Sequence, residues 1–365
     1  FLGNRVQLSK YGIAGQTFDP DCRVKVSANN TALHGDLGRL TEFNEPDRIA
    51  GARQWLDGRL HLQKGRNEIV LSFPEVSQHQ IRAARKEIEL GTLFKSTASL
   101  GIKSLELVRP EVWNGMCTRA RDARSDTAWM VDGRYGLFIH WSLLTYPLNG
   151  DRQAVEDFEW GVNVFDTEAF ADAIQETGAS WVTFTTCHGA HYFPAPIQAL
   201  DDLMPGRTSK RDLIGDIADS LNKRGITLLL YYNLCGGDEP FGKAVGMEDA
   251  EDPAKWFDFL VRFATQVSER YGNHIGGWAY IDSTVTAYEY GMSWEPFATA
   301  MKTANPNAVV GISNHWWGQF TPFSELQTAD SGGYLIDPIQ SEAYQAGGRY
   351  AGMQPHFSFT LDGSW

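Results

Sequence analysis

From Gly133 onward, short apolar runs alternate with stretches carrying helix start and stop signals, and this alternation constrains the fold more than any other feature. The runs are Tyr135 to Trp141, Trp181 to His188, Thr227 to Asn233, Gly277 to Asp282, Val309 to His315, Glu325 to Asp330 and Gln354 to Leu361. Their apolar residues are consecutive rather than alternating, as expected of strands covered on both faces in a parallel sheet. The connections read as helices. Phe170 and Ile174 lead to Gly178. Ser209, with Asp212 as its capping-box partner, precedes Leu213, Ile217 and Leu221 on one face, and Gly225 follows. Asp252-Pro253 supplies an N-cap with Pro at the first helical position, before Trp256, Leu260, Phe263 and Val267 at helical spacing and a stop at Gly272. Strand–helix repetition of this regularity predicts a (β/α)8-type barrel over residues 133–365, with a doubly wound sheet as the alternative. No clear eighth strand is readable before Trp365, so the barrel is expected to be irregular, or truncated and incomplete at its C-terminal side.

Residues 1–110 follow a different pattern. Cys22-Arg-Val-Lys-Val-Ser, Gly58-Arg-Leu-His-Leu, Lys64 to Ser72 and Gly101 to Val108 have the period of two and the intervening turn residues of an antiparallel β-sandwich. Residues 75–95 read as a polar insertion. The phrases Leu62 to Leu71 and Ile102 to Val108 resemble the last strands of jelly-roll carbohydrate-binding modules, and a purely structural sandwich fits them equally. Residues 111–132 read as a charged, helical linker.

Charge and composition narrow the partners. Lys and Arg number 32 against 45 Asp and Glu, a formal net charge of −13. Such a chain repels nucleic acid and anionic lipid, since phosphate binding needs clustered cations. No apolar run approaches the roughly 20 residues that span a bilayer. The four cysteines, Cys22, Cys117, Cys187 and Cys235, form no Cys-x-x-Cys pair and are too scattered for a disulfide framework. The sequence starts at Phe1 without a Met or a leader, which reads as a mature or excised fragment. A neutral ligand is the expectation, and 12 tryptophans are compatible with stacking platforms for sugars.

In a parallel barrel all strand C-termini face one opening. Here they carry His140 and Trp141, His188, Tyr231, Tyr232 and Asn233, Asp282, then Asn314, His315 and Trp316, Asp330 and His356. Imidazoles, amides and phenols suit sugar hydroxyls, and Trp rings suit C–H faces. Asp282 alone would read as a turn-capping carboxylate; in this company it reads as chemistry. No glycine-rich phosphate loop precedes a helix. His188 and His191 offer two imidazoles without a compelling third ligand, so neither a metal nor another cofactor is expected.

Taken together, these residues resemble the retaining α-L-fucosidases. Tyr135-Gly-Leu-Phe-Ile-His-Trp is similar to that family's first-strand motif, and Phe158-Glu-Trp160 to the Glu-Trp that follows it. Phe184-Thr-Thr-Cys-His188 is similar to its Thr-Thr-Lys-His-His. Ser209-Lys-Arg-Asp-Leu-Ile-Gly215 through Leu230-Tyr-Tyr232 is similar to its third strand–helix unit, and Tyr280-Ile-Asp282 to the Trp-Phe-Asp that carries its nucleophile. Phe359 to Trp365 is similar to the segment ending in Ser-Trp-Gly-Tyr.

The resemblance implies a double-displacement glycosidase acting on a fucosylated glycan, outside the cell or in the periplasm, with Asp282 as nucleophile. It implies sugar contacts from His140, Trp141, Glu159, Trp160, His188 and Tyr232, with His315 and Trp316 at the same rim. Two departures stand out. Gly189 occupies the place of the second His of the paired motif, leaving His191 as a substitute. Where many members have a Trp-Glu whose Glu is the acid/base, this chain has Pro355-His356. His356 is therefore a candidate acid/base, as thought for the related endo-acting fucan hydrolases, with Glu325, Glu342 and Glu159 as rivals. Two alternatives follow: an endo-acting fucan hydrolase using an Asp/His pair, and a sugar-binding relative without activity.

Overall fold

A computed structural model describes residues 25–32, 37–43, 51–56, 61–72, 109–141, 155–234, 238–247, 253–284, 287, 290–313, 321–329 and 352–357. The chain divides into two units, one essentially residues 1–110 and the other beginning at Glu111.

In the first unit, β1 (Lys25–Ala28) pairs antiparallel with β2 (Thr31–Ala32) and with β5 (Ile69–Ser72). The β1–β2 turn is Asn29-Asn30, with φ of 49° and 66°. Two left-handed residues give the turn the twist of its flanking strands, and asparagine tolerates that region. Asn67 organises the approach to β5: its Oδ1 accepts from the Gln63 N–H at 2.7 Å and from Asn29 Nδ2 at 2.9 Å. A separate antiparallel pair, β3 (Leu37–Phe43) and β4 (Gly51–Leu56), was not foreseen from sequence. The antiparallel character thus holds. The packing of sheet on sheet that would make a sandwich, the strand expected at 101–108 and the insertion at 75–95 lie outside the described residues.

The second unit opens with α1 (Pro110–Asp122) and α2 (Ala128–Gly133). This stretch, expected as a linker, packs on the rest of the unit. Arg119 Nε donates to Glu295 at 2.6 Å, and the Ser125 hydroxyl donates to the carbonyls of Pro306 and Ala308. Buried Cys117 and Ala120 form the contact side of α1.

All seven expected strands are present: β6 (Gly136–Ile139), β7 (Trp181–Cys187), β8 (Thr227–Asn233), β9 (Gly277–Asp282), β10 (Val309–Ser313), β11 (Leu326–Ala329) and β12 (Gln354–Phe357). They lie side by side in sequence order, every neighbouring pair parallel. β7 is buried at every position and β8 at all but its first, which accounts for the unalternating apolar signal. The sheet is strongly curled. Trp181 on β7 and His356 on β12 are separated by five strand steps, roughly 24 Å in a flat sheet at ~4.8 Å per step. Their rings lie only 6.5 Å apart. Trp181 also joins Met130, Leu229, Ala279, Val309 and Leu326 in one core cluster drawn from β7 to β11. Among the described residues β6 and β12 are not paired with each other.

Two glycines allow the close approach of the central strands. A Cβ on Gly311 would sit 2.1 Å from the carbonyl oxygen of Ala279, and one on Gly277, with φ +125°, would sit 2.3 Å from that of Val309.

The covering helices are α3 (Val155–Val164), α4 (Thr167–Thr177), α5 (Gln198–Leu203), α6 (Leu213–Asn222), α7 (Glu239–Val245), α8 (Ala254–Tyr271) and α9 (Trp294–Met301). The apolar stripes run as expected: Leu213, Ile217 and Leu221 on α6 and Trp256, Leu260, Phe263 and Val267 on α8 are buried. Each such side chain contributes about 2 kcal/mol on leaving water. The caps differ in detail. Asp212, not Ser209, is the N-cap of α6, accepting from the Gly215 N–H at 2.9 Å, while the Ser209 hydroxyl donates to the Arg211 carbonyl. Asp212 was read as a reciprocal partner because its spacing from Ser209 fits a capping box; one more turn of non-helical chain moves the role onto it. Pro253 is the N-cap of α8 rather than its first helical residue.

Candidate active site

β8 and β9 run in register to their ends, where Asn233 pairs with Asp282. A register shift, with Ala279 as the extra residue on β9, brings Tyr231 opposite Tyr280 and Asn233 opposite Asp282. Because strand side chains repeat with a period of two, Tyr231 and Asn233 share a face, and both reach the same carboxylate oxygen. Tyr231 Oη donates to Asp282 Oδ2 at 2.5 Å, and Asn233 Nδ2 donates to it at 3.2 Å. Asp282 Oδ1 accepts from the Ser283 N–H at 2.5 Å. Ser283 has φ +56°, a left-handed conformation that is uncommon for a residue with a side chain. The chain thus turns sharply just after the carboxylate. Burial, then the charge and hydrogen bond of Asp282, push the Tyr231 phenol well above its ordinary range, so it stays a proton-bearing donor.

Beneath this group lie three rings in mutual contact: Phe138 with Tyr231 at 5.5 Å, Phe138 with Tyr280 at 5.7 Å and Tyr231 with Tyr280 at 5.4 Å. Two residues beyond Phe138, His140 meets the rings of His188 at 5.2 Å and Tyr231 at 5.5 Å. His188 lies 5.9 Å from Tyr231, and His140 Nδ1 is 3.1 Å from the Thr185 hydroxyl. The structure therefore brings together Asp282, His140 and His188, with Tyr231 and Asn233 added. With Asp282, His140 and His188 partly exposed, the cluster offers a carboxylate, two imidazoles and an aromatic wall, all on the C-terminal side of a parallel sheet. Among the described residues no group of three His, Cys, Asp or Glu could hold a metal ion.

Other expected contacts go elsewhere. Trp141 is buried at 8% exposure and stacks on Phe184 at 5.6 Å, among Phe158 and Phe165 on the helical side of the sheet. Tyr232 is one position out of phase with Asp282 and stacks on Phe263 of α8 at 4.8 Å. It was expected because the matched motif ends there; strand parity points instead to Tyr231. His191, expected as a sugar contact, is 1% exposed and stacks flat on Phe241 at 3.5 Å. Glu159 accepts from the Lys210 N–H at 3.2 Å, and Trp160 is 57% exposed on α3.

Glu325 stands just before β11, at the opposite end of the sheet from Asp282. It is buried, with Oε1 accepting from Lys302 Nζ at 2.5 Å and the Ser125 N–H at 3.1 Å, and Oε2 from the Val310 N–H at 2.7 Å. These contacts tie α1, α9 and β10 together. His356 pairs in register with Thr328 and points toward Trp181, the residue that begins β7. Burial pushes its imidazole down to about 4, and its buried Nδ1 has no hydrogen-bond partner among the described residues. His315, Trp316 and Glu342 lie outside the described residues, as do Asn314 and Asp330.

The sequence model described as Alpha-L-fucosidase matches residues 151–335. Tissue alpha-L-fucosidase of Homo sapiens is 28% identical over 145 residues, covering 31% of this chain and 30% of that protein. The Macaca fascicularis enzyme is 27% identical with the same coverage. The match thus spans about a third of the length of these relatives. Among solved structures, an alpha-L-fucosidase from Bacteroides thetaiotaomicron matches with a TM-score of 0.36 and 16% identity, over 53% of this chain and 48% of that one.

Proposed function

As the chain belongs to the alpha-L-fucosidase family, we propose that it is a retaining glycoside hydrolase releasing L-fucose from a glycan, with Asp282 as the nucleophile. The observation that carries this reading is the hydrogen bonding of Asp282, whose Oδ2 accepts from both Tyr231 and Asn233 at the C-terminal end of a parallel strand. Donors on a carboxylate fix its direction, and a fixed carboxylate reacts without first ordering itself. In the first step Asp282 attacks the anomeric carbon as the bond to the glycosidic oxygen breaks and that oxygen takes a proton. In the second, water attacks the same carbon, giving its proton to the acid/base group, and Asp282 departs with its charge restored. His140 and His188 are positioned to hydrogen-bond the fucose hydroxyls, and Tyr280 and Phe138 supply the apolar wall for its methyl group.

For the proton donor we turn to Glu342. Glu325 already holds Lys302, and a histidine with its imidazole pushed down to about 4 is a poor acid at neutral pH. The proposal includes closure of the curled sheet as a (β/α)8-type barrel, and action on glycans outside the cell or in the periplasm. No helix among the described residues is long and apolar enough to cross a membrane.

The test is hydrolysis of an activated aryl α-L-fucoside, with the anomer of the first product followed by NMR. Retained configuration in the wild type, and loss of about a thousandfold or more in Asp282→Asn, support the reading. A Glu342→Ala variant is expected to keep turnover of the activated substrate and lose it on natural glycans, since only a poor leaving group needs the acid. Fucose binding without turnover would replace the enzyme by a sugar-binding protein; neither binding nor turnover would mean that the sugar is wrong.

A further inference from the structure

The group expected to touch sugar, His191, has a different setting from the rest of the site. Its ring lies flat against Phe241 of α7 and 6.1 Å from the ring of Tyr232. Nε2 lies 3.1 Å from the backbone carbonyl oxygen of Asn233, and Nδ1 lies 3.5 Å from Asp238 Oδ2. Both nitrogens face acceptors, and burial pushes the imidazole down, toward its neutral form. The single proton of a neutral ring therefore belongs on Nε2, donated to the nearer acceptor. Asn233 is also the residue whose side chain donates to Asp282.

The backbone of His191 is held as firmly as its ring. Asp238 Oδ2 accepts from the His191 backbone N–H at 2.6 Å and from Arg207 at 2.9 Å, while Oδ1 caps α7 through the Phe241 N–H at 3.1 Å. Burial alone would raise the Asp238 carboxyl, but the hydrogen bonds from His191 and Phe241 and the Arg207 charge outweigh it and hold it well below the usual range. Arg207 in turn lies 4.4 Å over the Tyr192 ring. Cys187, buried beside the same strand end, places its thiol 3.9 Å from the Asn233 carbonyl oxygen.

We propose that His191, held by Asp238 and Arg207, is a positioning residue for the nucleophile, fixing the end of β8 through the Asn233 carbonyl so that the Asn233 amide stays on Asp282. The proposal rests on Asp282 being the nucleophile. It departs from the expected role of His191, because a ring at 1% exposure stacked on Phe241 has no face left for a sugar. Its action is mechanical: without the imidazole, the Asn233 carbonyl loses the nearer of its two side-chain donors, His191 and Cys187, and the amide carbon, three bonds from that carbonyl carbon, loses the anchor that fixes its distance to Asp282 Oδ2.

The experiment compares His191→Leu, His191→Gln and Asp238→Asn with wild type on an activated aryl α-L-fucoside, alongside their melting temperatures. Leu removes the donor; Gln restores an N–H near the place of Nε2. The expected result is a fall of about tenfold in kcat for Leu with KM nearly unchanged, and recovery to within about threefold for Gln. Equal losses in Leu and Gln, or unchanged kcat in both, overturn the proposal. If the wild type turns over no fucoside, the proposed activity fails, and crystal structures of the two His191 variants decide the positioning claim separately. There the Asn233–Asp282 contact is expected to be lost in Leu and kept in Gln; its survival in both overturns the claim. Should Leu not fold, Asp238→Asn and Gln carry the same comparison, with Asp238→Asn expected between Gln and wild type in kcat.

Discussion

At the scale of single residues, the site turns on which of two adjacent tyrosines faces the carboxylate. Tyr231 shares the face of Asn233 and donates to Asp282, while Tyr232 points the other way into Phe263 and Trp278. Replacing Tyr231 by Phe removes one donor and keeps the ring contacts with Phe138 and Tyr280. We expect kcat on an aryl fucoside to fall by about 10- to 100-fold with little change in KM, because the lost bond orients the reacting group rather than binding the sugar. Tyr232→Phe, measured in parallel, should stay within about threefold of wild type, since Tyr232 stacks in the helical layer. The matched motif names Tyr232, whereas the structure sets Tyr231 beside Asp282 and Tyr232 in the helical layer. A motif that ends on a residue carries no phase, and only the pairing of β8 with β9, which skips Ala279 on β9, sets which side chain meets the carboxylate. The same limit explains Trp141: it follows His140 in the matched motif, so parity sends it to the opposite face, where Phe184 and Phe158 bury it.

At the scale of elements, the seven strands and most helices were readable because both signals are local. A strand covered on two faces is apolar without alternation, and a helix packed on one side shows its stripe. β3 and β4 escaped notice because Leu37 to Phe43 and Gly51 to Leu56 mix charge, glycine and apolar residues without a clean period, and their pairing is a fact about two segments rather than one. The approach of β9 to β10 is likewise invisible in either strand alone. It needs Gly311, where an added Cβ would sit 2.1 Å from the Ala279 carbonyl oxygen, against main chain that cannot swing aside. We expect Gly311→Ala to destabilise the second unit by about 2 kcal/mol or more, read from the midpoint of urea denaturation. Gly206→Ala serves as the comparison: Gly206 has φ +84° and nothing within 4 Å of the added carbon, so it tests backbone strain alone. A larger loss at Gly311 than at Gly206 assigns the cost to strand contact rather than to φ.

At the scale of the whole molecule, the curl of the sheet puts a histidine where water is scarce. His356 reaches Trp181 only because five strand steps bend back on themselves, and no single segment of the chain announces that neighbourhood. This is why a residue at the end of an apolar run looked like a rim acid in the sequence, yet is half-buried beside the start of β7. The consequence is measurable in the pH dependence of stability. In the unfolded chain this imidazole takes up a proton near 6.5; in the folded protein burial pushes it down to about 4. Between those values the unfolded state binds the extra proton, so stability present above pH 6.5 is lost as the pH falls toward 4, by at most about 3 kcal/mol. His356→Leu removes that proton uptake, and because the buried Nδ1 has no partner among the described residues, it also deletes an uncompensated polar atom. Urea denaturation at intervals from pH 7 to pH 4 should show the variant as stable as wild type at pH 7 and falling less steeply below 6.5. The same variant separates two roles for the residue: a positioned acid/base would cost turnover of natural fucosylated glycans at pH 7, whereas an enclosed neutral histidine leaves it intact. Parallel acid slopes for the two proteins, together with lost glycan turnover, would return the acid/base role to His356.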